Sequence, residues 1–226
     1  MVRILLTSGP TRQYLDPVRY LSNASSGRMG AALAAAAIEA GHQVTVVSGP
    51  VEIEYPPAAE VVRVVSTEEM LEACRSLWAR CDGLIGAAAP CDYRPQQVAS
   101  QKLSKTGGPR VLELVETPDI LATLAAEKTS QWMVAFALET EDARLRAMQK
   151  LARKKCDLIV LNGPAAIQAA DTRVEIIDRA GAVVGQFAGS KLEVARGIFR
   201  VLEEKLVDPV KRNSVSGMSG RGMGAE

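Results

Sequence analysis

The chain has 226 residues, 47% of them hydrophobic and 23% charged, with 27 basic against 26 acidic side chains for a formal net charge of +1. That length supports one large α/β domain or two small ones around a full core, and the charge balance argues against a nucleic-acid or anionic-membrane binder. The longest apolar run, Gly30 to Ile38, is nine residues long and too short to span a bilayer; no basic-then-apolar leader opens the chain, so a cytoplasmic protein is expected.

In chain order, Val2 to Leu6 reads as a buried strand, followed by an Ala-rich helix from Gly27 to Ala40 that ends on Gly41, a natural C′ residue. Val44 to Val47 reads as a second strand, and Thr67-Glu68-Glu69 opens a helix with Thr67 as N-cap and acids near its positive end. Gly83 to Ala88, Trp132 to Phe136 and Asp157 to Leu161 are short continuous apolar runs, the habit of strands covered on both faces of a parallel sheet. Thr117-Pro118 starts a further helix, with Thr117 as N-cap and Pro118 at the first helical position. Glu141 to Lys155 is helical, with Leu145, Met148, Leu151 and Ala152 on one face. Repeated β-α-β units of this kind predict a doubly wound, mostly parallel sheet. Arg173 to Asp178 and Ala182 to Phe187 flank Arg179-Ala180-Gly181 as a hairpin, and a helix follows from about Lys191 to Leu206. Arg94 to Arg110 has no periodicity and reads as a long functional loop, and a disordered tail is expected over 207–226.

The four cysteines, Cys74, Cys81, Cys91 and Cys156, form no C-x-x-C pair, and with the single His42 they make a poor zinc set, so reduced packing thiols are expected. Chemistry must then rest on Lys, Arg, Asn, Asp and backbone amides. Thr7-Ser8-Gly9-Pro10-Thr11-Arg12 places a Gly-bearing turn at the end of the first strand, where parallel sheets bind ligands. Ser25, Ser26 and Gly27 precede a helix whose free N–H groups suit a phosphate, with Arg19 and Arg28 as charged donors; the alternative is that Ser25 or Ser26 merely caps that helix. Ala87-Ala88-Ala89 lets a planar base approach backbone, Asp92 follows it, and Lys102 and Lys105 either close over a polyphosphate or are ordinary solvated lysines.

Taken together, Thr7 to Arg12, Leu15-Asp16-Pro17-Val18-Arg19-Tyr20-Leu21-Ser22-Asn23-Ala24-Ser25-Ser26-Gly27-Arg28-Met29-Gly30, Ala88-Ala89-Pro90-Cys91-Asp92-Tyr93-Arg94-Pro95, Thr117 to Leu121 and Phe136-Ala137-Leu138-Glu139-Thr140 resemble bacterial-type phosphopantothenate–cysteine ligase over residues 2–206. The resemblance implies a Rossmann-like α/β ligase of coenzyme A synthesis. It would activate 4′-phosphopantothenate with CTP to an acyl-cytidylate and then condense that with cysteine. Mg²⁺ would arrive with the nucleotide, on no side-chain metal cluster. By resemblance, Asn23, Arg19 and Lys102 are catalytic: Asn23 holds the acyl-cytidylate, its amide suited to donate to a developing oxyanion, Arg19 contacts the substrate near that intermediate, and Lys102 lies over the phosphates. Gly9, Ser25, Ser26, Gly27, Ala88, Asp92, Lys102, Pro118, Asp119, Ile120, Leu121, Phe136, Lys150 and Lys154 are nucleotide contacts. It further implies a homodimer, with the hairpin region as a candidate subunit contact. No flavin is expected in this chain, and a separate flavin-dependent decarboxylase is a candidate partner. One departure is Ser104 in Lys102-Leu103-Ser104-Lys105, where the family loop commonly carries lysine. The competing readings are a nicotinamide-dependent reductase and a non-catalytic nucleotide sensor of the same fold. Against the reductase, the first turn lacks G-x-G-x-x-G and Val47-Ser48-Gly49-Pro50 offers no acid for a ribose hydroxyl.

Overall fold

The computed structural model describes residues 1–138, 142–163 and 171–208. Five strands of the central sheet coincide with the apolar runs: β1 (Arg3–Ser8), β4 (Gln43–Ser48), β6 (Gly83–Gly86), β9 (Trp132–Leu138) and β10 (Leu158–Asn162). Between β1 and β4 lie two short strands, β2 (Arg12–Tyr14) and β3 (Tyr20–Ser22), and helix α1 (Arg28–Glu39). Strand β5 (Glu60–Arg63) and helix α2 (Thr67–Trp78) precede β6; β7 (Tyr93–Pro95), β8 (Leu114–Glu116) and α3 (Ile120–Ala126) lead to β9. Helix α4 (Ala143–Arg153) joins β9 to β10, and β11 (Asp171–Asp178), β12 (Val183–Ser190) and α5 (Lys191–Leu202) complete the order before a π-helical turn, Glu203–Val207.

The eight strands run β12-β11-β10-β9-β6-β1-β4-β5. All pairs from β10 to β5 are parallel, while β11 and β12 add an antiparallel hairpin at one edge. The expected doubly wound sheet with a C-terminal hairpin is therefore the architecture found. The period of two explains the apolar runs. Ile4, Leu6, Val134 and Val160 face one core with α1 and α5. Leu5, Met133, Ala135 and Ile159 face the other, with α2, α3 and α4. Val207 is fully buried in the first core, and residues 209–226 of the expected tail lie outside the described residues. Among the described residues no helix is long and apolar enough to cross a membrane.

Helix ends decide several local outcomes. Gly41 closes α1 as expected: its N–H bonds the Ile38 carbonyl at 2.9 Å and the His42 N–H bonds Ala37 at 3.0 Å, the paired pattern of a Schellman stop. Ser66, not Thr67, caps α2, accepting the Glu69 N–H at 3.1 Å. Likewise Asp119, not Thr117, caps α3, accepting the Ala122 N–H at 3.1 Å. In both places the threonine hydroxyl is drawn instead to one carbonyl, that of Cys91. Helix α4 buries Ala147 and Leu151, whereas Leu145 is 61% exposed and Ala152 is exposed, so its inward face is rotated from the expected one.

Candidate nucleotide site

Strand β1 sits between β4 and β6, so successive connections leave it in opposite directions and its carboxyl end opens a crevice against that of β6. Backbone bonds tie the crevice floor: Ala87 N–H to the Thr7 carbonyl at 3.2 Å and Ala89 N–H to the Gly9 carbonyl at 2.9 Å. The Ala88 N–H reaches Thr7 Oγ1 at 3.3 Å. Gly9 and Ala88, both expected contacts, thus stand side by side at this point.

Asn23 joins them. Its Nδ2 donates to the carbonyls of Ala89 at 3.2 Å and Pro90 at 2.8 Å, so both amide hydrogens are spent on the loop after β6. The amide is therefore a tie across the crevice, with Oδ1 the atom left to accept. Donation to an oxyanion, the role the resemblance implies, requires one of these bonds to be given up. Cys91, next along, is a buried hub: its N–H donates to Thr11 Oγ1 at 2.8 Å, while its carbonyl accepts Thr67 at 3.1 Å and Thr117 at 2.7 Å. All four cysteines are free and buried, as expected for packing groups; burial pushes the Cys74 thiol up to about 12 and the Cys156 thiol up to about 11.

The linear glycine fingerprint is missing because the hairpin β2–β3 is inserted into the first β-α connection, yet glycines still meet in space. Gly9 and Gly27 have φ of 76° and 73°, and a Cβ added to either would fall 2.7 or 2.9 Å from the same Val51 methyl. A Cβ at Gly30 would lie 2.0 Å from Ser8 Oγ, so α1 can approach β1 only with glycine there. Gly30→Ala is expected to destabilise the fold by ~1–3 kcal/mol through overpacking, read as a lower urea midpoint with unchanged slope. Val51 packs against both Gly9 and Gly27, so a side chain at either position would have to displace it. Gly27 is the N-cap of α1 and no side chain caps that helix; Ser25 Oγ only accepts the Gly27 N–H at 3.4 Å. The capping alternative for Ser25 and Ser26 is not realised, and the first-turn N–H groups have no side-chain acceptor among the described residues.

Asp16 and Arg19 connect this crevice to the long loop. Asp16 is fully buried; its Oδ1 accepts the Val18 and Arg19 N–H groups at 2.8 Å each, and its Oδ2 accepts Arg19 Nε at 2.9 Å and the Leu103 N–H at 3.1 Å. Arg19 Nη2 pairs with Asp16 at 2.7 Å and also donates to the Leu103 carbonyl. Burial alone raises the Asp16 pKa, but the Leu103, Val18 and Arg19 N–H groups and the guanidinium outweigh it and hold the carboxyl well below the usual range. The expected substrate arginine is thus engaged with protein. Lys102, Lys105 and Asp92 are exposed, with no side-chain partner among the described residues.

The remaining expected contacts gather beside the ends of β6 and β9. Lys150 Nζ donates to the Phe136 carbonyl at 2.7 Å, and Lys154 pairs with Asp119 at 3.1 Å. Burial would raise the Asp119 pKa, yet the Ala122 N–H and then Lys154 pull it below its ordinary value. The expected anion-facing end of α3 is therefore occupied by its own carboxylate. Ile120 and Leu121 are buried in the core, Leu121 against Gly86 at the end of β6, while Pro118 is exposed. The Thr117 N–H donates to the Asp92 carbonyl at 2.9 Å, tying this group to the crevice. Glu139 and Thr140 lie outside the described residues. A cleft of about 640 Å³ elsewhere, between Arg12, Tyr14, Glu68 and Arg94, contains none of the expected contacts. Asp16, Thr11 and Thr67 acquire their roles only in three dimensions; the sole sequence signal was that Asp16 and Thr11 fall inside the strings that carry the resemblance.

The described residues contain no group of three His, Cys, Asp or Glu able to hold a metal. Residues 1–206 match the family model for the DNA/pantothenate metabolism flavoprotein C-terminal domain. The chain is 45% identical over 162 residues to the coenzyme A biosynthesis bifunctional protein CoaBC of Vibrio parahaemolyticus, covering 70% of this chain and 41% of that protein. It is also 41% identical over 206 residues to a cysteine/cysteine sulfinic acid decarboxylase from an unknown prokaryotic organism, covering 88% of this chain and 57% of that one. The chain therefore spans about two fifths of the CoaBC proteins it matches. Among solved structures, the C-terminal domain of a CoaBC protein superposes with a TM-score of 0.78 at 37% identity, covering 92% of this chain and 96% of that one. On the sheet order, the crevice at β1 and β6 and these matches, the chain belongs to the DNA/pantothenate metabolism flavoprotein C-terminal domain family.

Proposed function

We propose that this chain is a phosphopantothenate–cysteine ligase acting in two half-reactions. A carboxylate oxygen of 4′-phosphopantothenate attacks the α-phosphorus of CTP, the bond to the β-phosphate breaks, and pyrophosphate leaves. The amine of cysteine then attacks the acyl carbon and CMP leaves, forming the amide. Neither step asks the protein for a covalent intermediate; both ask for positioning and for cations or N–H groups beside growing charge. The observation that carries the reading is the convergence of Gly9, Asn23, Ala88 and the uncapped start of α1 at one crevice, with the Lys102 loop fastened beside it. In this reading the α1 amides face phosphate, the Ala87–Ala89 backbone faces the base, and Lys102 reaches the polyphosphate. Lys150 and Lys154 border the same edge. Magnesium, bound to the triphosphate, would neutralise phosphate charge, and the exposed Asp92 carboxylate would accept from its waters. The reading includes a homodimer.

The test supplies the purified chain with phosphopantothenate, cysteine, magnesium and either CTP or ATP, with NADPH offered in a parallel reaction. Pyrophosphate release and formation of phosphopantothenoylcysteine are expected, with CTP preferred. No pyrophosphate with any nucleotide would leave the sensor reading ahead, NADPH oxidation would favour the reductase, and carbon dioxide from cysteine would point to the other relative's chemistry.

A further inference from the structure

The loop between β7 and β8 is long and mostly solvent-facing: Val111 is 94% exposed, and a Cβ at Gly107 or Gly108 would meet nothing. Its attachments to the rest of the domain among the described residues are few. Ala99 N–H donates to the Leu15 carbonyl at 2.9 Å, and the Leu103 peptide is held from both sides, its N–H by Asp16 and its carbonyl by Arg19. Beyond Leu103 the contact is internal, Arg110 to the Ser104 carbonyl at 3.2 Å. A dry carboxylate locked by its own turn thus grips the one peptide that directly follows Lys102. The same turn continues into Asn23, which is fastened to Ala89 and Pro90.

The geometry points to Asp16 as a positioning residue: with Arg19 it latches the Leu103 peptide and thereby holds Lys102 at the carboxyl edge of β1 and β6. This rests on the ligase reading for its catalytic consequence and on the fold alone for the latch. Burial makes the role specific to an anion. An amide at position 16 would turn its NH₂ toward the Leu103 N–H or the guanidinium, donor against donor, or lose the charge that pairs with Arg19.

Two measurements on the full chain decide it. Limited trypsin digestion, read by mass spectrometry, should show Asp16→Asn and Arg19→Gln speeding cleavage after Lys102 and Lys105 by ~10-fold or more, with sites outside this loop and the 16–19 turn unchanged, because the loop opens locally. Arg19 is half exposed, so its variant keeps the experiment decisive where Asp16→Asn fails to fold. Equal cleavage rates in wild type and Arg19→Gln would overturn the latch. Second, Asp16→Asn should lower pyrophosphate release by up to ~100-fold, the effect of a small misplacement, but by less than ~3-fold in a Lys102→Gln background. Losses of the same size in both backgrounds would also overturn it, since a merely structural carboxylate would not depend on Lys102. A wild-type chain inactive with every nucleotide defeats the ligase reading, while the digestion still decides the latch.

Discussion

Lys102→Gln is expected to lower nucleotide-dependent pyrophosphate release by ~10- to 1,000-fold, the range for removing one preorganised charge contact from a transition state. The glutamine keeps length and polarity and loses the charge, and because Lys102 is exposed and outside the core the substitution leaves stability unchanged. Lys105→Gln serves as the internal comparison. It lies beyond the held Leu103 peptide, on the part of the loop whose hydrogen bonds are internal, and should cost less than ~3-fold, the scale of a screened exposed charge. Steady-state pyrophosphate release with CTP checks both. Equal losses at the two lysines would mean that the loop acts by its overall charge and not through one fixed cation.

Asn23 carries the second large expectation. With both amide hydrogens on the Ala89 and Pro90 carbonyls, the side chain bridges the turn before α1 and the loop after β6. Asn23→Asp is close to isosteric, yet it sets carboxylate oxygens against two carbonyl oxygens, and should lower kcat/KM for pyrophosphate release by ~100-fold, at least as much as Asn23→Ala. Because a tie shapes the site for both half-reactions, activation and cysteine condensation should fall together in single-turnover measurements. Loss confined to condensation would instead return Asn23 to the oxyanion role that the resemblance implies, with the Ala89 and Pro90 bonds exchanged during the reaction.

The buried parallel strands were legible because each is flanked by helices on both faces, which leaves no polar alternation and a bounded apolar run. The edge hairpin β11–β12 was legible from its turn at Arg179 to Gly181, where Gly181 has φ of 82°. The four-residue edge strand β5 was not, and nor were β2, β3, β7 and β8, whose three residues each are too few for a period of two to register. The caps failed for a different reason. Ser66 and Asp119 are the stronger cap residues of their pairs, and Thr67 and Thr117 spend their hydroxyls on the Cys91 carbonyl. In the site, the residue types were readable but their commitments were not: Arg19 and Asn23 read as free donors, and the fold has already given them partners.

The hairpin inserted between Gly9 and Gly27 has a consequence for how such folds diversify. Its two ends are clamped where the glycines converge beneath Val51, so the stretch between them can be lengthened or rewritten without disturbing the strand or helix that flank it. Chain statistics make that inexpensive, since doubling a flexible loop adds only ~0.6 kcal/mol of closure entropy. Asp16 and Asn23 both ride on this excursion, and a generic nucleotide scaffold can in this way take on new chemistry at a position that bears no load in the sheet.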